Sequence, residues 1–259
     1  MAVTARKRFG QHFLHEPAAI RRILEAVSPR PGEVVVEIGP GRGALTAALL
    51  ERLTELHAIE LDRDLAAYLR RRFPRGLVLH EGDALDFDYR ALAAAGPLRL
   101  VGNLPYNIST ALLLGLLEDA DILRDMHFML QREVAERLSA SPGGRAYGRL
   151  SVMVQWRCRV ERLFTLGPGA FQPPPKVDST VLRLTPRADA PAVGDPRRFA
   201  ELVRLAFGQR RKSLRNALRG RVPEAVLARA GIDPGRRAET LAVEEFARLA
   251  RLAGGPATR

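Results

Sequence analysis

A chain of 259 residues, 46% of them hydrophobic, can bury one large core with a small appendage, which excludes a disordered or fibrous class. Its 41 Lys and Arg against 29 Asp and Glu leave a formal charge of +12, and most of the excess is arginine, so a polyanionic partner is expected. A single cysteine, Cys158, excludes an internal disulfide framework and a cysteine zinc cluster, and the five histidines show no metal-ligand spacing, so no metal is expected.

The longest apolar runs, such as residues 111–117, are far too short to span a bilayer, and no apolar segment follows Arg6, Lys7 and Arg8. We read a cytoplasmic protein and expect a monomer. From Gly32 the chain alternates short β-branched or leucine-rich runs with longer helical patterns. Strands are expected at 34–38, 57–60, 77–80, 98–102 and 127–130, and helices at 44–53, 65–73, 109–117 and 132–138. That rhythm predicts βα units around a doubly wound parallel sheet. After a Gly- and Pro-bearing loop at 141–148 come a helical pattern from Leu150 and two strand-like runs, 160–166 and 177–184, expected to pair antiparallel at one sheet edge.

Residues 185–196 are rich in Pro, Ala, Asp and Gly and lack apolar periodicity, so they read as a linker. Beyond them, 198–207, 214–218, 223–230 and 243–252 read as short helices with no strand among them. The expected organisation is α/β: a Rossmann-like domain over residues 1–187 and a small all-helical domain over 188–259.

The first strand runs into Gly39-Pro40-Gly41-Arg42-Gly43, a glycine-rich turn that opens a helix. Glycines permit a tight turn and close approach of a ligand, and the helix start offers free N–H groups. Glu60 ends the next strand, where a carboxylate can accept both hydroxyls of a ribose, so an adenosine-bearing cofactor is implied. Gly39, Gly41 and Ala44 also satisfy a relaxed dinucleotide pattern, which leaves nicotinamide dehydrogenase chemistry open on this motif alone. Asp83 follows the third strand; it can accept from an adenine amino group, or simply cap a short helix.

Asn103-Leu104-Pro105-Tyr106 follows the fourth strand, on the same carboxyl edge as the glycine turn. One chemistry that such a loop would suit is that of an exocyclic ring amine such as adenine N6, whose lone pair is delocalised into the ring and is a poor nucleophile. Carbonyl oxygens of Asn103 and of the Leu104 main chain can accept its hydrogens, Pro105 stiffens the turn, and Tyr106 offers a face for the base to stack on.

Taken together, Lys7-Arg8-Phe9-Gly10-Gln11, Glu37-Ile38-Gly39-Pro40-Gly41, Asn103-Leu104-Pro105-Tyr106-Asn107-Ile108-Ser109-Thr110, Gln131-Arg132-Glu133-Val134-Ala135, Pro173-Pro174-Pro175-Lys176-Val177-Asp178-Ser179 and Phe207-Gly208-Gln209-Arg210-Arg211-Lys212 resemble the ribosomal RNA adenine dimethyltransferase family. Its bacterial small-subunit (16S rRNA) branch is the nearer one. The resemblance covers nearly the whole chain. It implies an S-adenosylmethionine-dependent methyltransferase sheet, with Gly39, Gly41, Glu60, Asp83 and Asn103 at the cofactor and the segment through His12 to Leu14 closing over it. The family usually has asparagine where this chain has His12. The resemblance also places Phe171 against the flipped base, opposite Tyr106. Large-subunit resistance methyltransferases look similar over the catalytic core, but more often carry isoleucine or valine at the place of Leu104. A noncatalytic RNA-binding or assembly factor on the same scaffold is the reading from another class.

For RNA, Arg204, Arg210, Arg211, Lys212, Arg215, Arg219 and Arg221 crowd one short stretch with Glu201 the only nearby acid before Glu224. Arg6, Lys7 and Arg8, near Phe9 and Phe13, form a second basic element. Both are expected to track an RNA backbone.

Overall fold

The computed structural model describes residues 11–105, 108–209 and 211–254. The chain divides into two compact units, one formed by residues 1–135 and 160–186 and the other by 136–159 and 187–259. The second unit thus takes up an internal excursion, 136–159, that a single boundary at 187/188 does not include.

Two elements precede the first βα unit. β1 (Phe13–Leu14) is followed by α1 (Pro17–Val27), which starts with proline in its first turn and ends at Ser28 in the left-handed conformation. Ala19, Ile23, Leu24 and Val27 fall on one face of α1 and are buried. The βα series then runs β2 (Val34–Ile38), α2 (Ala44–Leu50), β3 (Leu56–Glu60), α3 (Arg63–Arg72), β4 (Leu77–Glu81), α4 (Tyr89–Ala93), β5 (Leu98–Asn103), α5 (Ser109–Leu116) and β6 (Leu123–Gln131). α3 shows why these boundaries hold: the Asp62 side chain accepts from the Asp64 N–H at its start, and Arg70, Arg71 and Arg72 complement its last turn.

α6 (Arg132–Leu138) and α7 (Arg149–Arg157) lead to β7 (Cys158–Leu166), β8 (Phe171–Gln172) and β9 (Ser179–Pro186). The main sheet has the order β4-β3-β2-β5-β6-β9-β7. β2 lies parallel to β3 and β5, and β6 runs antiparallel to β9. The chain leaves β2 toward β3 and β4 on one side and later returns to place β5 on the other. This reversal between β2 and β5 opens a crevice at the carboxyl ends of the strands. There the two strands approach so closely that a Cβ on Gly102 would lie 2.5 Å from the Ile38 carbonyl oxygen.

One apolar core on this unit joins Ile23, Leu24 and Val27 of α1, Leu45 and Leu49 of α2, and the strand residues Val35, Leu56, Val101, Met129 and Val181. Leu14 and Phe171 belong to the same core, because β1 and β8 pair antiparallel with Leu14 opposite Phe171 and Phe13 opposite Gln172. Across the amino end of the sheet, the Arg99 guanidinium forks onto both oxygens of Asp125 at 2.8 and 2.9 Å and reaches Glu33 at 2.7 Å.

In the second unit, α8 (Pro196–Phe207) is capped by the Asp195 side chain on the Arg197 N–H, and buries Phe199, Leu202, Val203 and Ala206. α9 (Leu214–Ala217), α10 (Glu224–Arg229) and α11 (Val243–Ala253) follow. The segment read as a linker is not draped in solvent: Val193 is buried and the Pro191 carbonyl accepts from the Trp156 indole at 3.0 Å. Among the described residues no helix is long and apolar enough to cross a membrane.

Phe171 is only 2% exposed. Phe171→Ala is therefore expected to lower the unfolding free energy by about 3–5 kcal/mol in denaturant titrations, whereas Phe171→Leu, which nearly conserves volume, should cost about 1.5 kcal/mol or less. Equal and small losses would place the ring outside the core.

Candidate functional site

The glycine turn, the ends of β3, β4 and β5, and the segment carrying β1 enclose a cavity of about 850 Å³ including its open mouth. Its walls include His12, Gly39, Gly41, Glu60, Asp83, Asn103, Leu104 and Pro105, so most of the residues singled out from the sequence come together. A second, smaller cavity beneath the turn is bordered by Leu14, Glu37, Arg42 and again Asn103.

The turn is built from local constraints. Gly39 and Gly41 have φ of 66° and 56°, and a Cβ on Gly41 would sit 2.8 Å from the Phe13 ring, so glycine serves both the backbone and the packing against β1. The Gly39 N–H donates to the Ile59 carbonyl at 2.9 Å, and the Gly41 N–H donates to Glu60 Oε2 at 3.1 Å. Glu60 Oε1 accepts from the Asp62 N–H at 2.9 Å. The carboxylate therefore ties the turn after β2 to the turn after β3.

Glu60 is only 6% exposed. Burial pushes its carboxyl up to about 7, against the pull of the Asp62 and Gly41 N–H groups and with the Asp62 charge adding to the rise. Beneath it lies a second buried acid that sequence reasoning passed over. Glu37 receives the Thr46 hydroxyl at 2.6 Å, and burial raises its carboxyl to about 7, opposed by the Thr46 bond and reinforced by the Glu60 charge. A lone glutamate within the apolar run Val34–Ile38 was the available sign.

Asp83 borders the cavity, and its Oδ1 accepts from the Leu85 N–H at 2.9 Å, so it shapes its own turn as well as facing the crevice. Leu61, 48% exposed, lines the same cavity beside Glu60 and supplies an apolar wall that no motif marked. The Tyr89 hydroxyl supports the neighbouring turn through the Ala84 carbonyl at 3.0 Å.

Asn103 is the last residue of β5, and its Nδ2 donates to the His12 main-chain carbonyl at 2.8 Å. Because that carbonyl can only accept, the amide is fixed with Oδ1 as its remaining acceptor. The Leu104 N–H donates to the Met129 carbonyl at 3.2 Å, and the Pro105 carbonyl receives the Ile108 and Ser109 N–H groups as α5 begins. His12 Nδ1 lies 2.8 Å from the Pro173 carbonyl. Tyr106, and the basic residues Arg6, Lys7, Arg8 and Arg210, lie outside the described residues.

Phe171 stands elsewhere than the sequence reading has it. Its ring is enclosed in the core with Leu14 and Ala170, and an enclosed ring has no open face for a base. The arginine block is also less uniformly free than its sequence implies. Folding sets Arg215 on Glu224 at 3.0 Å and Arg204 on Glu201 at 2.6 Å, while Arg211 and Lys212 are exposed.

The two raised carboxyls have a signed consequence for the protein without ligand. In the unfolded chain each ionises near 4.5, whereas in the folded state each keeps its proton to about 7. Their stabilising contribution is thus full below pH 4.5 and is lost as pH rises to about 7. Glu60→Gln and Glu37→Gln should each flatten this fall, by on the order of 1–3 kcal/mol relative to wild type in urea titrations across that window. Parallel curves for wild type and both variants would sink the assignment.

The whole-chain pattern matches the ribosomal RNA adenine dimethylase family over residues 2–253. The chain is 54% identical over 258 residues to the ribosomal RNA small subunit methyltransferase A of Pseudomonas fluorescens Pf0-1, covering 98% of this chain and 95% of that one. It is 56% identical over 252 residues to the protein of the same name from Nitrosococcus oceani, covering 95% of each. Among solved structures it is similar to a dimethyladenosine transferase from Plasmodium falciparum, with a TM-score of 0.81, 26% identity, and 92% and 96% of the two chains covered. It is also similar to the 23S rRNA methyltransferase ErmE, with a TM-score of 0.72, 28% identity, and 93% and 99% covered. An α/β sheet with a cavity at its switch point, an amide acceptor beside it and this agreement along nearly the full length have one reading: the chain belongs to the ribosomal RNA adenine dimethylase family.

Proposed function

We propose that this enzyme transfers methyl groups from S-adenosylmethionine to N6 of two adjacent adenines near the 3′ end of small-subunit (16S) rRNA. The product is N6,N6-dimethyladenine, made during ribosome biogenesis by a cytoplasmic monomer acting on the small subunit or its precursor. The observation that carries this reading is the position of Asn103: an oriented amide acceptor on one wall of the cavity whose other walls hold Gly39, Gly41 and Glu60. The names of the relatives at 54–56% identity support the small subunit over the large one.

The residues present fit the cofactor. A buried carboxyl raised to about 7 gains most from new donors, and ribose hydroxyls are such donors; Leu61 and Asp83 suit the apolar face and the amino edge of an adenine. Glu60, Gly39, Gly41, Asp83, Leu14 and the segment at His12 would hold it. S-adenosylmethionine supplies an electrophilic methyl group when bound.

The chain's own work is orientation and electrostatics. Asn103 Oδ1 and the Leu104 carbonyl accept the two N6 hydrogens, which localises the lone pair and stabilises the positive charge that grows on nitrogen. An amide is no base at neutral pH, so the proton leaves after the methyl has arrived, to water. Tyr106 supplies the stacking face, and Phe171 anchors β8 beneath the site.

The direct test is incubation of unmethylated small subunits with labelled S-adenosylmethionine, followed by mapping of the modified bases. Modification of any other nucleotide, or none, would sink the proposal. Glu60→Ala should weaken cofactor binding by about 1.5–3 kcal/mol and partly yield to excess cofactor. Asn103→Ala should depress the maximal rate about 100-fold or more at saturating cofactor. A defect in Asn103→Ala that vanishes at saturation would move Asn103 from catalysis to cofactor binding.

Arg211 and Lys212, with Arg210 and the amino-terminal Arg6, Lys7 and Arg8, are proposed to contact phosphates. Replacing Arg211 and Lys212 with alanine should lower the log-log salt slope of RNA binding by about 1 per lost contact and leave cofactor affinity alone. Arg215→Ala should change that slope less, because Glu224 already holds the guanidinium. An unchanged slope in the double variant would make the pair a solvated face.

A further inference from the structure

We infer that His12 is a positioning residue that acts through Asn103: its imidazole pins the end of β1 to the Pro173 carbonyl, and its own main-chain carbonyl thereby holds the Asn103 amide with Oδ1 left as the acceptor. The inference rests on the assignment of Asn103 to catalysis.

The β1–β8 ladder explains why this carbonyl is available. Phe13 pairs with Gln172 and Leu14 with Phe171, and the His15 N–H donates to the Ala170 carbonyl at 3.0 Å. In an antiparallel ladder the residues whose main chain faces the partner alternate with those whose main chain faces away. His15 faces β8, so Phe13 does too, while Leu14 and His12 turn their N–H and C=O groups outward. The His12 carbonyl is therefore presented to the far side of β1, where Asn103 Nδ2 meets it at 2.8 Å.

The paired residues of the ladder stop at Phe13 and Gln172, so His12 and Pro173 lie just beyond its end. The side chain takes over: His12 Nδ1 lies 2.8 Å from the Pro173 carbonyl, and only an N–H can make that bond. Two bonds at one residue thus connect the Pro173 main chain, the segment over the cavity and the catalytic amide. Without the first, the His12 carbonyl loses its fixed place, and the Asn103 amide can turn its nitrogen toward the amine it must accept from.

The same geometry admits asparagine at this position. Asparagine Nδ2 and histidine Nδ1 are each one bond beyond Cγ, so either can donate to the same carbonyl. Aspartate has the shape of asparagine but offers oxygen, which repels it.

The test uses the full-length enzyme on unmethylated small subunits. His12→Asn is expected to keep turnover within about twofold of wild type, and His12→Asp and His12→Ala to lower the maximal rate about tenfold at saturating cofactor, the order expected from one hydrogen bond. Because His12 also lines the cofactor cavity, all rates are compared at saturating S-adenosylmethionine, with saturation established for each variant by calorimetry without RNA. The side-chain amide protons of Asn103 should exchange faster with solvent in His12→Asp than in His12→Asn, a readout that requires no catalysis. The double variant His12→Ala/Asn103→Ala should be as slow as Asn103→Ala alone, because the first residue acts through the second. Losses that multiply in the double variant, a defect cured by excess cofactor, or equal rates for His12→Asn and His12→Asp would each overturn the inference. A slow Asn103→Ala beside a normal His12→Ala would overturn it alone; a fully active Asn103→Ala would overturn the catalytic assignment beneath it.

Discussion

Two neighbouring parallel strands whose outgoing chains run to opposite sides cannot close the gap between their carboxyl ends, and the site depends on that constraint at β2 and β5. The strands themselves come as near as a sheet allows, with Gly102 facing the Ile38 main chain where any side chain would collide. Beyond that contact the glycine turn goes toward α2, and Asn103-Leu104-Pro105 goes toward α5. The crevice is thus a property of connectivity, while the chemistry is a property of which residues stand at its rim.

The rim is held by bonds between separate turns as well as within them. Glu60 receives N–H groups from the turns after β2 and β3, its main-chain carbonyl receives the Gly82 N–H after β4, and Asn103 reaches the segment carrying β1. The bonds to the Gly41 and Gly82 N–H groups and to the His12 carbonyl span separate elements, so the walls are positioned by one another. The arrangement is costly without ligand. Two buried acids, Glu37 and Glu60, resist ionisation and repel each other when both are charged. In a chain of net charge +12 no arginine is set directly on either carboxylate among the described ion pairs. A cationic paired side chain would have stabilised Glu60 as a structural ion and blunted its appetite for hydroxyl donors. On the proposed function, withholding it leaves the carboxyl ready for the ribose hydroxyls at the expense of the fold.

Much of this was legible in the sequence because it is local. β-branched runs such as Val34–Val36, the glycine turn and the spacing from Gly39 to Glu60 each express a backbone requirement within a few residues. What escaped was short or non-local. β1 and β8 have two residues each, too few for any periodicity, and they exist only because they pair with each other. α1 carried a visible pattern, proline at the start and apolar residues on one face, but lay ahead of the alternating series on which the reading was built. An aromatic beside a proline run reads the same whether it points outward or, as Phe171 does, into the core. The pairing of Arg215 with Glu224 spans nine positions and a turn, so a count of nearby acids could not foresee it.

The role proposed for Asn103 shows why methylation of an amine suits a carefully oriented neutral group. A carboxylate there would accept the amine hydrogens more strongly, but it would also stabilise a protonated or a solvated ground state, and it would add a third negative charge near Glu37 and Glu60. An amide oxygen carries enough partial charge to favour the cation that develops on nitrogen, and little enough to leave the resting state undisturbed. Its weakness is that nitrogen and oxygen ends are nearly the same shape, so an unrestrained amide is as ready to donate as to accept. A chemically asymmetric partner removes that ambiguity, and a main-chain carbonyl, which can only accept, is such a partner. On the proposed assignment, the segment over the cavity contributes to the reaction through the direction in which it obliges one side chain to face.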